Sequence, residues 1–185
     1  MTDFLAKASQ NTAELSWLTN LVHENEVKSY LEIGSYYGGS LWRIANAMPQ
    51  SSRVVFVDLP LLNGGERASL RKCAEALQVR GYEVHAMFAD SKSENVIHWV
   101  SKLAPFDFCL IDGDHSLAGV SADWANYGLM AKMVAFHDIA WSRPPEWDGT
   151  RIEVPEFWNS IKDEFRHEEC KLHHSKSHGI GVLWQ

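Results

Sequence analysis

Short apolar runs alternate with longer amphipathic stretches along most of the chain, and this alternation constrains the fold more than any other feature. The run 53–58 is rich in β-branched residues and predicts a strand, whereas 66–79 has helical spacing and ends before Gly81. Apolar residues fill the strand-like runs almost continuously, as is typical of strands buried on both faces of a parallel sheet. The pattern therefore predicts a doubly wound α/β fold, with helices on both faces of a mostly parallel sheet.

The same periodicity sets the expected order of the elements. Strands are expected at 30–33, 53–58, 83–88, 106–111, 133–136, 167–172 and 179–184. Helices are expected at 41–48, 66–79, 93–103, 117–130 and 154–165. The last two strands follow each other without a helix, which predicts an antiparallel pair at the end of the sheet. Residues 1–28 are expected to form a helical extension that covers one edge of the sheet or the site.

Composition narrows the class of protein. A length of 185 residues suits one domain, 1–185, and 45% hydrophobic residues are enough for a core. The 17 basic and 24 acidic residues give a net charge of −7, which disfavours nucleic acid as a partner. The three cysteines lack CxxC spacing, which favours a reducing cytoplasmic location. With no apolar run approaching 18 residues, neither a signal peptide nor a membrane span is expected.

Acidic side chains lie at or just beyond the ends of the five predicted parallel strands. They are Glu32, Asp58, Asp90, Asp112 and Asp138. Ligands of open α/β sheets bind beyond the carboxyl ends of the strands, so these acids are expected to converge on one ligand site.

The first of these strand ends opens a loop of small residues. Gly34, Ser35 and Gly38 allow a sharp turn and a close approach of the backbone to a ligand, although an ordinary strand–helix turn would use the same residues. Asp58 follows Gly38 by 20 residues and is suited to hydrogen bonds from both ribose hydroxyls of a nucleoside. The alternative is that Asp58 is a turn residue ahead of Pro60.

Two interpretations stay open at the end of the third strand. Asp90 is placed to accept a hydrogen bond from the exocyclic amine of adenine. Asp90 or Ser91 is equally suited to cap the next helix, with Glu94 completing a capping box from Ser91.

The densest group of polar residues is Asp112-Gly113-Asp114-His115, directly after a buried strand. His137-Asp138 ends the neighbouring strand and is expected to lie beside it. Asp112, His137 and Asp138 offer oxygen and nitrogen ligands for Mg²⁺ or Mn²⁺; the alternative is a hydrogen-bonded turn with a neutral core histidine. Four histidines near the C-terminus are expected to lie on a solvated hairpin, with a metal cluster as the alternative: His167, His173, His174 and His178.

These segments together resemble class I S-adenosylmethionine-dependent methyltransferases. More narrowly, they resemble the branch grouped with cephalosporin-hydroxylase-like proteins and metal-dependent small-molecule O-methyltransferases. The segments that carry the resemblance are 30–40, 57–58, 107–116, 136–139 and 154–158. The Asp-Gly-Asp-His-Ser segment together with His137-Asp138 is its most specific part. The resemblance implies a Rossmann-like seven-stranded sheet whose last strand is antiparallel.

The resemblance also assigns roles to residues of this chain. It implies an S-adenosylmethionine site formed by Glu32, Gly34, Ser35, Tyr36, Gly38, Asp58, Leu59, Asp90, Ser91 and Asp112. It implies a metal held by Asp112, His137 and Asp138, where His137 stands in place of an acid common in metal-dependent relatives. His115 or Asp112 is expected to take the proton of a small hydroxylated acceptor. Aromatic residues after the fifth strand, Trp141 and Trp147, are expected either to contact that acceptor or simply to pack.

Two other functions fit part of the pattern. Asp58 would suit the ribose of NAD in an oxidoreductase, but the loop lacks the GxGxxG spacing. A non-catalytic binding or assembly protein could keep the same fold, and self-association of the chain stays open. A nucleic-acid methyltransferase is disfavoured by the acidic charge and by the lack of an Asn/Asp-Pro-Pro-aromatic motif after the fourth strand.

Overall fold

The fold is a three-layer α/β arrangement around one mixed sheet, as expected. The computed structural model describes residues 10–59, 65–141, 146–147, 150–172 and 178–185. The helices are α1 (Thr12–Glu24), α2 (Gly39–Ala45), α3 (Gly65–Val79), α4 (Glu94–Ser101), α5 (Leu117–Tyr127) and α6 (Val154–Ile161). The strands are β1 (Ser29–Ile33), β2 (Arg53–Asp58), β3 (Glu83–Phe88), β4 (Phe106–Ile111), β5 (Ala131–His137), β6 (Glu146–Trp147), β7 (Thr150–Arg151), β8 (Arg166–Cys170) and β9 (Ile180–Trp184).

The main sheet has seven strands in the order β3-β2-β1-β4-β5-β9-β8. Strands β1 to β5 are parallel to one another, and β9 is antiparallel to both of its neighbours, β5 and β8. This confirms the predicted sheet and its antiparallel last strand. The sequence order reverses at β1 and β4, and a ligand crevice forms at such a switch point.

Two apolar layers hold the helices against the sheet. One contains α1, α2 and α3 packed on alternate strand residues such as Tyr30, Phe56 and Leu110. The other contains α4, α5 and α6 packed on the opposite face, where Trp158 is completely buried. This is why the strands are apolar on both faces, and it confirms the predicted placement of helices on both sides.

The element boundaries differ from the sequence-based ones by a few residues. Strand β5 runs over 131–137, longer than the expected 133–136, and α5 ends at Tyr127 before a short 3-10 turn at 128–130. Within the predicted helical extension, helix α1 forms at 12–24 and residues 1–9 lie outside the described residues. None of the helices in the described ranges is long and apolar enough to cross a membrane.

At the amino edge of the sheet, opposite the strand ends that carry the acids, one carboxylate joins three strands. Asp107 Oδ2 accepts hydrogen bonds from the backbone N–H groups of Lys28 (3.0 Å) and Ser29 (3.1 Å), and Oδ1 accepts one from Lys132 Nζ (2.8 Å). Burial alone would raise the pKa of Asp107, but the bonds from Lys132, Lys28 and Ser29 outweigh it and lower the pKa. The carboxylate therefore stabilises the fold mainly in its charged form.

Replacing Asp107 with Asn should lower the free energy of unfolding at pH 7 by about 1–3 kcal/mol, because an amide cannot accept all of these bonds. Since the folded pKa is depressed, the stabilisation is complete above the unfolded value of about 4 and is lost as the pH falls through the folded pKa. Denaturant unfolding at several pH values should therefore show that the difference in unfolding free energy between the wild type and Asp107→Asn becomes smaller below about pH 4. Asp163→Asn, at an exposed site, is the matched control; a difference independent of pH would contradict the assignment.

Candidate active site

A cavity of about 610 Å³ opens where the parallel strands end. This lies within the range of small-molecule pockets, about 300–1,000 Å³. Most of the predicted site residues line it: Gly34, Ser35, Tyr36, Asp58, Leu59, Asp90, Ser91, Asp112, His115, His137 and Asp138. The structure thus brings together residues that are up to about a hundred positions apart in sequence.

The Asp58 carboxylate holds the loop after β1 in place. Its Oδ2 accepts hydrogen bonds from the backbone N–H groups of Ser35 and Tyr36, both at 2.6 Å. At the mouth of the cavity, the apolar side chains of Tyr36 and Leu59 are 48% and 54% exposed. Such exposed apolar groups on the rim of a pocket are suited to contact a flat ring of a ligand.

Two glycines in this loop are required by their surroundings. Gly34 has φ +85°, and a Cβ there would lie 2.3 Å from the backbone oxygen of Asp112. Gly38 has φ +87°, precedes α2, and a Cβ there would lie 2.9 Å from Cβ of Cys73. Both positions need glycine for backbone conformation and for close packing, as expected from the sequence.

Glu32 does not line the cavity. Its side chain is completely buried beneath the loop, where it accepts hydrogen bonds from Ser40 Oγ (2.6 Å) and from the Tyr30 hydroxyl. Burial raises the pKa of Glu32 to about 8, although both hydrogen bonds oppose that shift. Glu32 therefore ties β1 to the start of α2 and supports the loop from behind.

The end of β3 corrects one of the two sequence-based interpretations. Helix α4 starts at Glu94 after Ser93, so the expected capping box at Ser91 is wrong. Ser91 Oγ instead donates to Asp123 Oδ1 at 2.7 Å, and the Ser91 carbonyl accepts from the Tyr127 hydroxyl at 2.5 Å. These contacts fix the loop after β3 against α5.

Asp90 and Asp123 differ sharply in their surroundings. The exposed Asp90 accepts a hydrogen bond from the backbone N–H of Lys92 at 2.9 Å, which makes it a turn residue as well as part of the cavity wall. Asp123 is buried, and its desolvation raises the pKa to about 6 despite the bond from Ser91. Asp123 therefore lies behind the wall, where it anchors Ser91.

Four polar side chains meet on the far side of the cavity. His115 Nδ1 donates to Asp138 Oδ2 at 2.6 Å, and His115 Nε2 lies 3.6 Å from Asp112 Oδ1. His137 Nδ1 lies 3.2 Å from both Asp112 Oδ1 and Asp138 Oδ1. We call Asp112, His115, His137 and Asp138, together with His178, the His–Asp cluster.

Burial and charge act against each other in this cluster. Desolvation would raise the pKa of Asp138, but the imidazoles of His137, His115 and His178 hold it well below its usual range. Desolvation would lower the pKa of His137, but Asp112 and Asp138 raise it to about 9. The pKa of His115 is also raised, because Asp138 and Asp112 outweigh the effect of desolvation. The Asp138 carboxylate can stay charged although it is buried, because imidazoles lie beside it.

The favoured interpretation of His178, a place on a solvated hairpin, is wrong, whereas the alternative of a cluster of possible metal ligands agrees with its position. This half-buried residue does not extend into solvent: its Nδ1 lies 3.2 Å from Asp138 Oδ1, and its ring centroid lies 4.5 Å from that of Trp141. The signal was its position just before β9, because β9 pairs with β5 and Ile180 lies opposite His137. His167 lies on β8 against Trp158, and His173 and His174 are outside the described residues.

Gln10 is a further cavity residue that the sequence did not indicate. It precedes α1, is buried, and donates from Nε2 to Asp112 Oδ2 at 2.5 Å. Its position depends on how α1 packs against the sheet, and no local motif marks it. Gln10 orients the Asp112 carboxylate from the side opposite His137.

The expected acceptor loop is only partly described. Trp141 packs on His178, and Ile152 lines the cavity beyond β7. The side chain of Trp147 and the residues 142–145 lie outside the description.

Two triplets of the cluster have ligand atoms within 4.8 Å of one another: His137–Asp138–His178 and Asp112–His115–Asp138. Chemically, the arrangement can hold a divalent cation, or it can place a base, His115, next to a bound hydroxyl.

Comparison with known proteins adds a family. A family model described as a methyltransferase domain matches residues 31–139, more than half of the chain, from β1 to just beyond β5. A comparison with curated proteins found no significant match.

Solved structures with the same fold include ligand-bound enzymes. The O-methyltransferase TomG from Streptomyces achromogenes, involved in tomaymycin synthesis and in complex with SAM, is similar with a TM-score of 0.72 at 15% identity, over 100% of this chain and 90% of that one. An O-methyltransferase from Bacillus cereus in complex with SAH has a TM-score of 0.72 at 16% identity, over 95% of this chain and 82% of that one. The SAH-bound methyltransferase PaMTH1 from Podospora anserina has a TM-score of 0.65 at 17% identity, over 95% of this chain and 80% of that one. At these identities the likeness shows the fold.

Gly34→Ala should destabilise the protein more than Gly81→Ala. Both positions have a left-handed backbone, but they differ in the space available for a Cβ atom. A Cβ at Gly81 (φ +93°) would contact no described atom within 4 Å, whereas at Gly34 it would meet the Asp112 backbone. Strain alone is worth about 1–2 kcal/mol, and the clash should add about 1–3 kcal/mol. Equal unfolding free energies of the two variants in denaturant would contradict the role of close packing at Gly34.

Proposed function

Since this chain belongs to the family of methyltransferase domains, we propose that it transfers a methyl group from S-adenosylmethionine to a hydroxyl oxygen of a small molecule. The observation that carries the proposal is the cavity itself, which joins the glycine loop and Asp58 at one end to the His–Asp cluster at the other. One end suits a nucleoside, and the other suits the activation of a hydroxyl group.

The cofactor end is proposed to use the strand-end residues in order. The loop from Gly34 to Tyr36 would lie against the methionine and ribose portions, and Asp58 would accept hydrogen bonds from the ribose hydroxyls. Asp90 and Ser91 would meet the adenine edge, with Ser91 already fixed by Asp123. Glu32 and Gly38 would act by shaping this loop, since neither lines the cavity.

The acceptor end is proposed to use His115 as general base. Its Nδ1–H is held by Asp138, which leaves Nε2 as the nitrogen that can accept a proton. S-adenosylmethionine, when bound, supplies a methyl group on a positively charged sulfur. Methyl transfer would release S-adenosylhomocysteine, and His115 Nε2 would take the proton of the acceptor hydroxyl. The walls position both reactants, which provides much of the acceleration.

The residues also fit a divalent cation. Asp112, His137 and Asp138 combine two carboxylates with an imidazole, and His137 Nδ1 lies 3.2 Å from an oxygen of each carboxylate. We propose that these three residues hold the ion, Mg²⁺ or Mn²⁺ in the simplest case. A cation there would lower the pKa of the acceptor hydroxyl and orient it.

Asp58→Asn should weaken binding of S-adenosylhomocysteine by roughly tenfold, because an amide offers one acceptor where the ribose hydroxyls need two. Asn can still accept the bond from Ser35, so the loop should persist. Isothermal titration calorimetry measures the affinity, with Asp163→Asn as the matched control and NADH as a ligand that should not bind. Wild-type affinity in Asp58→Asn, or tighter binding of NADH, would contradict the proposed cofactor site.

His115→Gln should lower the methyl-transfer rate by about 10²–10⁴-fold while leaving S-adenosylhomocysteine affinity within about twofold. Glutamine can still donate to Asp138 but cannot accept the proton. The rate is followed as S-adenosylhomocysteine release with 3,4-dihydroxybenzoate and methyl glycosides as acceptors. The exposed His98→Gln is the control with the same change of residue type.

Three outcomes would contradict parts of this mechanism. Full activity of His115→Gln would exclude it as the base. Turnover that is unchanged after treatment with EDTA would exclude the metal while leaving methyl transfer intact. Cofactor binding without turnover on any acceptor of the panel would favour a non-catalytic binding role instead.

A further inference from the structure

His178 is held in the His–Asp cluster by contacts on both sides of the chain. Its carbonyl oxygen accepts a hydrogen bond from the backbone N–H of Ala140 at 2.8 Å. The next residue, Gly179, donates its backbone N–H to Glu14 Oε1 at 3.0 Å. The ring of Trp141 lies against the imidazole of His178. The position of this imidazole is therefore built by β5, β9 and α1 together.

The donor atoms of four residues follow one another at equal spacing. Asp112 Oδ1 lies 3.2 Å from His137 Nδ1, which lies 3.2 Å from Asp138 Oδ1, which lies 3.2 Å from His178 Nδ1. Ligand atoms that bind one ion at about 2.0–2.2 Å are roughly 3.0–3.4 Å apart. One ligand atom from each of His137, Asp138 and His178 lies within 4.8 Å of the other two, so one ion can contact all three residues.

The types of donor differ from those of a magnesium site. Mg²⁺ prefers oxygen ligands and retains several waters, whereas imidazole suits Zn²⁺, Fe²⁺ and related ions. In the His137–Asp138–His178 triplet, two of the three ligands are imidazoles. This share of imidazole ligands favours a first-row transition ion over Mg²⁺.

We propose that His178 joins His137 and Asp138 in a site with two imidazoles and one carboxylate that prefers a first-row transition ion such as Co²⁺, Fe²⁺ or Zn²⁺ over Mg²⁺. The inference rests on the proposed function, because it assigns the ion that would assist methyl transfer. It adds a ligand from the last strand and a class of metal to that proposal.

The test compares His178→Gln with the wild type, because glutamine replaces a nitrogen donor with an oxygen donor of similar length. Untagged protein is stripped with EDTA, dialysed and titrated calorimetrically with Co²⁺ and with Mg²⁺. Co²⁺ affinity should fall by about tenfold or more in His178→Gln, whereas Mg²⁺ affinity should stay within about threefold. His98→Gln removes an exposed histidine outside the cluster and should bind both ions as the wild type does.

A second measurement does not depend on the variant. In Co²⁺-loaded wild-type protein, NMR should show paramagnetically shifted N–H resonances from two ligating imidazoles. One such resonance, or Co²⁺ affinity that is unchanged or that falls together with Mg²⁺ affinity in His178→Gln, would overturn the inference. Calorimetry with S-adenosylhomocysteine on the same samples reports separately on the proposed function. Cofactor binding without the two shifted imidazole resonances would contradict only the metal inference. A cobalt site without cofactor binding would contradict the proposed function.

Discussion

The buried carboxylate of Asp138 is the interaction on which the arrangement of the site depends. Three imidazoles from different parts of the chain contact it: His115 after β4, His137 at the end of β5, and His178 before β9. A carboxylate that is 1% exposed would be strongly unfavourable without such partners. Asp138 also has φ +65°, a backbone conformation that the surrounding contacts must hold in place. These contacts with the Asp138 carboxylate hold the loops at this end of the sheet together.

The sheet topology makes this convergence possible. Parallel strands deliver Asp112 and His137 to the same edge, since neighbouring β4 and β5 end side by side. The antiparallel β9 then runs in the opposite direction, so the residues before it reach that same edge. A last strand parallel to β5 would have placed His178 at the other end of the sheet, near Lys132. The reversed strand is thus part of the architecture of the site as well as of the fold.

The sequence predicted features that depend on neighbouring residues, and it missed those that depend on residues far apart in the chain. The sheet, the helices on both faces and the acid at each strand end depend on local periodicity, and the structure confirms the fold. The expected capping box at Ser91 failed because a longer-range partner, Asp123 on α5, competes for the hydroxyl. Gln10 was missed because its contact with Asp112 spans 102 positions and follows no local pattern. Local chemistry predicts strand ends well, but tertiary partners decide which polar atoms remain available there.

The two oxygens of Asp138 divide the cluster into two functional sides. Oδ2 is bound by His115, whose other nitrogen is available for a proton, whereas Oδ1 faces His137 and His178. A cation on the Oδ1 side would replace the attraction of two imidazoles for that oxygen without displacing the hydrogen bond on the Oδ2 side. The same carboxylate can therefore orient a base and bind an ion at once, because a carboxylate accepts through four lone-pair sites. This division explains how three histidines can surround one acid without competing for a single role.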